Sequence, residues 1–118
     1  MTLSEKRCEF SRLISQLVIA INAMPGYRAC FGEVLRTLQQ AAAYASEGIG
    51  IKNSDHVLGL AADLQIFKDG VFLTKSEDYE FAGSLWKSYS HDDIECCWGG
   101  DFQRPDGDHF SLEHNGVK

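Results

Sequence analysis

Two short segments constrain this chain more than any other feature, because a fold that brings them together would build a metal site. The first, Ser54–Leu64, contains His56 and Asp63, and the second, Asp106–Phe110, contains His109. Zinc prefers imidazole nitrogen and carboxylate oxygen, and a catalytic zinc uses three protein ligands and leaves a fourth position for water. The residue types therefore indicate a zinc site formed by His56, Asp63 and His109.

Asp106 has the chemistry of a proton acceptor for such a site. It lies three residues before His109, on a turn formed by Pro105 and Gly107. Zinc polarises a carbonyl group and lowers the pKa of water towards neutrality. A carboxylate that does not bind the metal can then accept the proton of water and return it to a leaving amine.

The spacing of these residues supports the metal site only in part. His56 and Asp63 are seven residues apart, which would place them on one face of a helix. However, Gly59 and the alternation around Leu60, Ala62 and Leu64 favour a loop that runs into a strand. On spacing alone, a polar loop histidine and a carboxylate at the end of a strand are an equally good interpretation.

The combined sequence pattern resembles that of a known family. The pattern S-x-H-x-x-G-x-A-x-D, followed by W-G-G-D and D-x-x-H-F, is similar to that of the D-Ala-D-Ala carboxypeptidase and L-Ala-D-Glu endopeptidase family of zinc peptidases. This family includes phage endolysins and the dipeptidases of vancomycin resistance. The fixed positions are all present: Ser54, His56, Gly59, Ala61, Asp63, Trp98, Gly99, Gly100, Asp101, Asp106, His109 and Phe110.

The resemblance spans residues 36–110 and implies a role for each site residue. His56, Asp63 and His109 would bind zinc, and Asp106 would be the general base, a position at which the family often has glutamate. Arg36, at the start of a helix, would steady the developing oxyanion or hold a substrate carboxylate, since a guanidinium stays charged and offers a planar fork of donors.

Three further positions have alternative interpretations. The resemblance places Ser54 in the substrate-binding region. Trp98 either supports a ligand histidine or belongs to the ordinary core. The alternative for Arg36 is a surface arginine in an ion pair, and Arg28 competes for its role.

Length and charge limit the possible functions. The 118 residues leave room for a single domain, so the zinc peptidase domain that the resemblance implies is expected to span 1–118, with no separate wall-binding module. The net charge of −6 argues against a nucleic-acid partner, and it fits poorly with unaided binding to an anionic cell wall. No apolar run has the length of a membrane span.

The cysteines and the N-terminus are expected to be structural. Cys8, Cys30, Cys96 and Cys97 contain no C-x-x-C pair, so a cysteine zinc site is not expected and the thiols are predicted to be reduced. Apolar residues at helical spacing near the N-terminus predict an amphipathic core helix rather than a signal peptide.

The turn and capping signals predict an α+β domain with a small antiparallel sheet, packed helices, and zinc ligands on strand ends and loops. Helices are expected over 3–23, 38–47 and 76–89, the first two opened by capping boxes and the third capped by Ser76. A loop starting at Gly48–Gly50 is expected to deliver His56. Strands are expected over 27–35, 63–67, 71–74, 98–102 and 109–112, with a hairpin turn at Lys68–Gly70.

These expectations describe a monomeric zinc peptidase that cleaves peptidoglycan stem peptides. The small size and the lack of a predicted signal peptide favour a phage or prophage lysin, made in the host cytoplasm and acting at the cell wall after release. One alternative is a D,D-carboxypeptidase or dipeptidase of the same chemistry. The other is a zinc-binding module without catalysis, serving structure or interaction.

Overall fold

The computed structural model describes residues 1–48 and 54–118, which form the α+β fold that the sequence predicts. The helices are α1 (Leu3–Ala23), α2 (Leu38–Ser46), α3 (Asp55–Leu58) and α4 (Glu80–Ser88). The strands are β1 (Tyr27–Phe31), β2 (Ala61–Lys68), β3 (Val71–Phe72), β4 (Cys96–Trp98) and β5 (His109–Leu112). Short 3-10 turns cover Ser76–Tyr79 and Gly99–Asp101. The predicted loop that leads to His56 lies mainly outside the described residues.

Helix α1 is the amphipathic core helix that the sequence predicts. The hydroxyl of Thr2 accepts a hydrogen bond from the Glu5 N–H, and the Glu5 carboxylate accepts one from the Thr2 N–H, which completes the capping box. The buried residues recur at helical spacing and pack on β1, β5 and α4: Phe10, Leu13, Ile14, Leu17 and Ile21. Within residues 1–48 and 54–118, no helix combines the length and apolarity that a membrane span requires.

The sheet has the strand order β1-β2-β5-β4, with antiparallel pairing throughout, and β3 pairs with the end of β2. Asp69 and Gly70 both have positive φ at the predicted hairpin turn. The core lies between the sheet and helices α1 and α4. Its largest fully buried side chain is Trp86, whose indole N–H lies 3.1 Å from the carbonyls of both Cys97 and Ser111.

Strand β1 ends at Phe31, so the predicted strand over 27–35 is too long. Gly32 N–H donates to the Asp63 carbonyl at 2.8 Å, and Asp63 N–H donates to the Glu33 carbonyl at 2.7 Å. Two residues of one strand thus oppose one residue of the other, which is a β-bulge. The bulge interrupts regular pairing and sends residues 32–36 past Asp63 and His56.

His56 lies in a single helical turn, α3, and not in the predicted loop running into a strand. The Ser54 hydroxyl accepts a hydrogen bond from the His56 N–H at 3.2 Å and caps the start of the turn. Gly59 ends it in the left-handed conformation, with φ of +74°. These two caps explain the turn, and β2 begins directly after it at Ala61.

Two other predicted elements differ from the structure. Ser76 does not cap a helix, because its hydroxyl accepts a hydrogen bond from Gly107 N–H at 2.9 Å, and a 3-10 turn precedes α4. The predicted strand over 98–102 lies earlier, over Cys96–Trp98, because Gly99–Asp101 forms a 3-10 turn instead.

Candidate metal centre

The sheet register brings together two of the three predicted ligands. Asp63 on β2 pairs directly with His109 on β5, and directly opposed residues of antiparallel strands have neighbouring side chains. The Asp63 Oδ1 atom lies 3.8 Å from Nδ1 of His109 and 3.3 Å from Nε2 of His56. All three predicted ligands therefore converge on one point.

The ring of His56 is oriented by the backbone beyond the bulge. Its Nδ1 atom lies 3.2 Å from the carbonyl oxygen of Val34. Because a carbonyl oxygen only accepts hydrogen bonds, Nδ1 is the nitrogen that carries the proton. Nε2 is therefore the nitrogen with the free lone pair in the neutral ring, and it faces Asp63. Arg36 N–H also donates to the His56 carbonyl at 3.0 Å, so the same segment holds both the ring and the backbone.

The donor set fits a zinc ion. His56, Asp63 and His109 each offer one ligand atom, and these atoms lie within 4.8 Å of one another. The Asp63 Oδ1 atom is buried and has no hydrogen-bond partner among the described residues. An unpaired buried oxygen is costly, and a cation held by two imidazoles and a carboxylate would satisfy it.

Burial and neighbouring charges act differently on the two histidines. Burial, followed by the charge of His56, lowers the pKa of His109 to about 4, so its ring is neutral and available as a ligand. Burial alone would lower the pKa of His56. The nearby Asp63 carboxylate, followed by the Val34 carbonyl, outweighs burial and raises the pKa of His56.

Asp106, the predicted general base, lies beside Asp63 and precedes His109 on the same loop. Asp63, Asp106 and Asp108 form a second group whose ligand atoms lie within 4.8 Å of one another, and Asp106 is the exposed member. Asp106 N–H donates to the Gly99 carbonyl at 2.9 Å, and His109 N–H donates to the Asp106 carbonyl at 3.1 Å. Burial, then the hydrogen bond with Asp106, raises the pKa of Asp108 to about 8.

The W-G-G segment holds the loop that carries Asp106. The Trp98 indole N–H donates to the Gly107 carbonyl at 2.7 Å. A Cβ at Gly99 would lie 2.0 Å from the Asp106 carbonyl oxygen and 2.7 Å from the His109 Cβ, so only glycine allows this approach. Trp98 thus contacts the loop from the hydrophobic core. The rings that pack on His109 are those of His56, at 5.2 Å between centroids, and Phe102, at 5.3 Å.

Arg36 lies near the centre but is engaged by other side chains. Its Nε atom donates to Glu33 Oε1 at 2.7 Å, and its guanidinium lies 5.2 Å from the centre of the Tyr44 ring. It precedes α2 rather than lying within it. Glu33, which also approaches His56 Nδ1 to 3.8 Å, was not predicted as a site residue. The only feature of the sequence that indicates a role for Glu33 is its position three residues before Arg36.

The remaining predicted residues lie around the centre or away from it. Ser54 is buried and serves as the cap of α3. His114 is absent from the converging groups within the described residues, and its Nδ1 contacts Lys6 Nζ at 3.2 Å. All four cysteines lie in the described ranges and are free thiols, with Cys96 and Cys97 buried.

Comparison with known proteins identifies a shared fold. No family model matches the sequence, and no curated protein matches it. The structure is similar to the crystal structure of the L-Ala D-Glu endopeptidase ChiX of Serratia marcescens, with a TM-score of 0.66 and 21% identity. The match covers 89% of this chain and 78% of that one. The chain therefore has the fold of a known endopeptidase.

Proposed function

We propose that the chain is a zinc-dependent peptidase that hydrolyses amide bonds in the stem peptides of peptidoglycan. The observation that carries the proposal is the convergence of His56, Asp63 and His109 beside Asp106. The fold shared with an L-Ala D-Glu endopeptidase supports the choice of substrate class.

Each residue of the centre has a role that follows from its chemistry. His56, Asp63 and His109 would hold the zinc ion, which would supply a Lewis acid able to activate water for attack on a carbonyl. Asp106, exposed beside Asp63, would accept the proton of water and pass it to the leaving amine nitrogen. Arg36 keeps its predicted role of steadying negative charge, but to act on substrate it must leave Glu33.

The experiment that tests the proposal is digestion of purified muropeptides, with the products identified by mass spectrometry. We expect cleavage that a chelator abolishes and that added zinc restores. Separation of alanine from a glutamate-containing product would support an endopeptidase. Release of a terminal D-alanine would instead support the D,D-carboxypeptidase alternative, with the same residues in the same roles.

The geometry also favours catalysis over a purely structural zinc. A structural zinc is closed by a fourth protein ligand, usually a histidine or cysteine. In the described part of the chain, no further histidine or cysteine joins the three converging ligands. Zinc binding without cleavage of any muropeptide would favour the non-catalytic alternative.

A further inference from the structure

A cleft of about 300 Å³ opens next to the candidate metal centre. One wall consists of β3 and the segment after it, with Phe72, Thr74 and Lys75, and the opposite wall is the loop with Asp106 and Asp108. Because Asp106 and Asp108 line the cleft and also approach Asp63, the cleft lies next to the centre. A substrate that reaches the centre can extend into this cleft.

Lys75 is the only cationic side chain among the described residues that line the cleft. It is exposed, and its ammonium group has no ion pair or hydrogen bond with any residue in the described ranges. Arg36 and Lys87, by contrast, are engaged by Glu33 and Asp101 respectively. Lys75 is therefore available for a ligand.

The other polar groups of the cleft are mostly occupied. The Tyr79 hydroxyl donates to the Leu73 carbonyl at 2.8 Å and accepts from Ile66 N–H at 3.1 Å. The Ser76 hydroxyl accepts from Gly107 N–H but keeps its own proton free to donate. Lys75 and Ser76, adjacent in sequence, thus offer an ammonium and a hydroxyl donor, which is a pair suited to a carboxylate.

We propose that Lys75 binds a free carboxylate on the amine side of the scissile amide, and so determines specificity for an acidic residue there. This inference rests on the proposed function. A glutamate that is joined through one of its two carboxyl groups keeps the other as a carboxylate close to the cleaved bond. Asp106 and Asp108 lie on the opposite wall of the cleft, and both approach Asp63, where a bound divalent ion would offset negative charge.

Binding of an uncleaved ligand tests the proposal separately from catalysis. The ligand is L-alanyl-γ-D-glutamyl-L-lysine with an N-methylated alanyl–glutamyl amide, prepared with a free α-carboxylate and as the α-carboxamide. Calorimetry on the zinc-loaded protein compares wild type with Lys75→Met and Lys75→Arg. Lys68→Met is the matched control, because Lys68 is an exposed lysine of the neighbouring β2–β3 hairpin that does not line the cleft.

We expect wild type and Lys68→Met to bind the carboxylate about fivefold more tightly than the carboxamide, which is the size of one partly exposed ion pair. Lys75→Met should abolish this ratio, and Lys75→Arg should restore most of it. An unchanged ratio in Lys75→Met, or no binding of either ligand, would overturn the inference. Cleavage of muropeptides without any preference for the carboxylate would overturn it while leaving the proposed function intact.

Discussion

Oδ1 of Asp63 lies 3.3 Å from Nε2 of His56, although the two residues belong to different elements, β2 and α3. The Val34 carbonyl fixes the histidine ring, and the register with His109 fixes the aspartate. This contact brings the two predicted ligands of the first sequence segment together at the centre.

The protein should bind one zinc ion per chain through His56, Asp63 and His109. His56→Ala removes one of three donors, so we expect zinc content, measured by elemental analysis after dialysis, to fall from about one to near zero. Circular dichroism should show a largely retained fold. His114→Ala, outside the group, should bind zinc like wild type, and full occupancy in His56→Ala would contradict the ligand assignment.

Asp106→Asn should keep zinc and lose activity. The amide preserves the shape of the side chain but cannot accept a proton, and a general base contributes about 10²–10⁴-fold. The measurement is kcat on a purified muropeptide, with zinc content determined on the same sample. Asp101→Asn is the matched control, since Asp101 is exposed and pairs with Lys87 at 2.7 Å. Near wild-type turnover in Asp106→Asn would require another base, with Asp108 the first to test.

Trp98→Phe should reduce activity more than its effect on stability explains. The change removes the N–H that holds the Gly107 carbonyl, leaving a buried acceptor unpaired at a cost of about 1–3 kcal/mol. Denaturant unfolding and kcat should be measured together. Trp86→Phe removes an N–H that serves only core carbonyls, so it should lower stability by a similar amount without a specific loss of kcat. Equal kcat in the two variants would argue against control of the Asp106 loop by Trp98.

Two of the four cysteines should react with a thiol reagent in the native protein at pH 8. Burial raises the pKa of Cys96 to about 11, and burial followed by the charge of Glu95 raises that of Cys97 to about 12. Since the thiolate is the reactive form, both stay protonated and slow at pH 8, while the exposed Cys8 and Cys30 react. Four reacting thiols should appear only after denaturation, as a spectrophotometric titration can show.

Much of the fold could be predicted because local signals and tertiary packing agree. Helix α1 follows from its capping box and apolar spacing, and the hairpin at Asp69 and Gly70 follows from its turn residues. The prediction that Ser76 caps a helix is wrong, although serine is a common capping residue. Its hydroxyl accepts a hydrogen bond from the N–H of Gly107, which is far away in the sequence.

The candidate site was predictable to the extent that it depends on residue type. The donors were identified from their chemistry and the family-like pattern, and the structure brings His56, Asp63 and His109 together. The Val34 carbonyl could not be found in the same way, because a backbone acceptor leaves no trace in residue identity. Arg36 and Glu33 are only three residues apart, but nothing in the residue types shows whether the guanidinium of Arg36 is paired or free.

The bulge at Gly32 and Glu33 holds the backbone of Asp63 in position for a metal. It binds both the N–H and the carbonyl of Asp63, while the Asp63–His109 pairing holds the other side of the strand. The backbone of Asp63 is thus held by hydrogen bonds within the protein, unlike the ligands of a zinc finger, which folds only when the metal binds. The apoprotein should remain folded, with slow hydrogen exchange at the Asp63 amide, and the measured metal affinity should contain no contribution from folding.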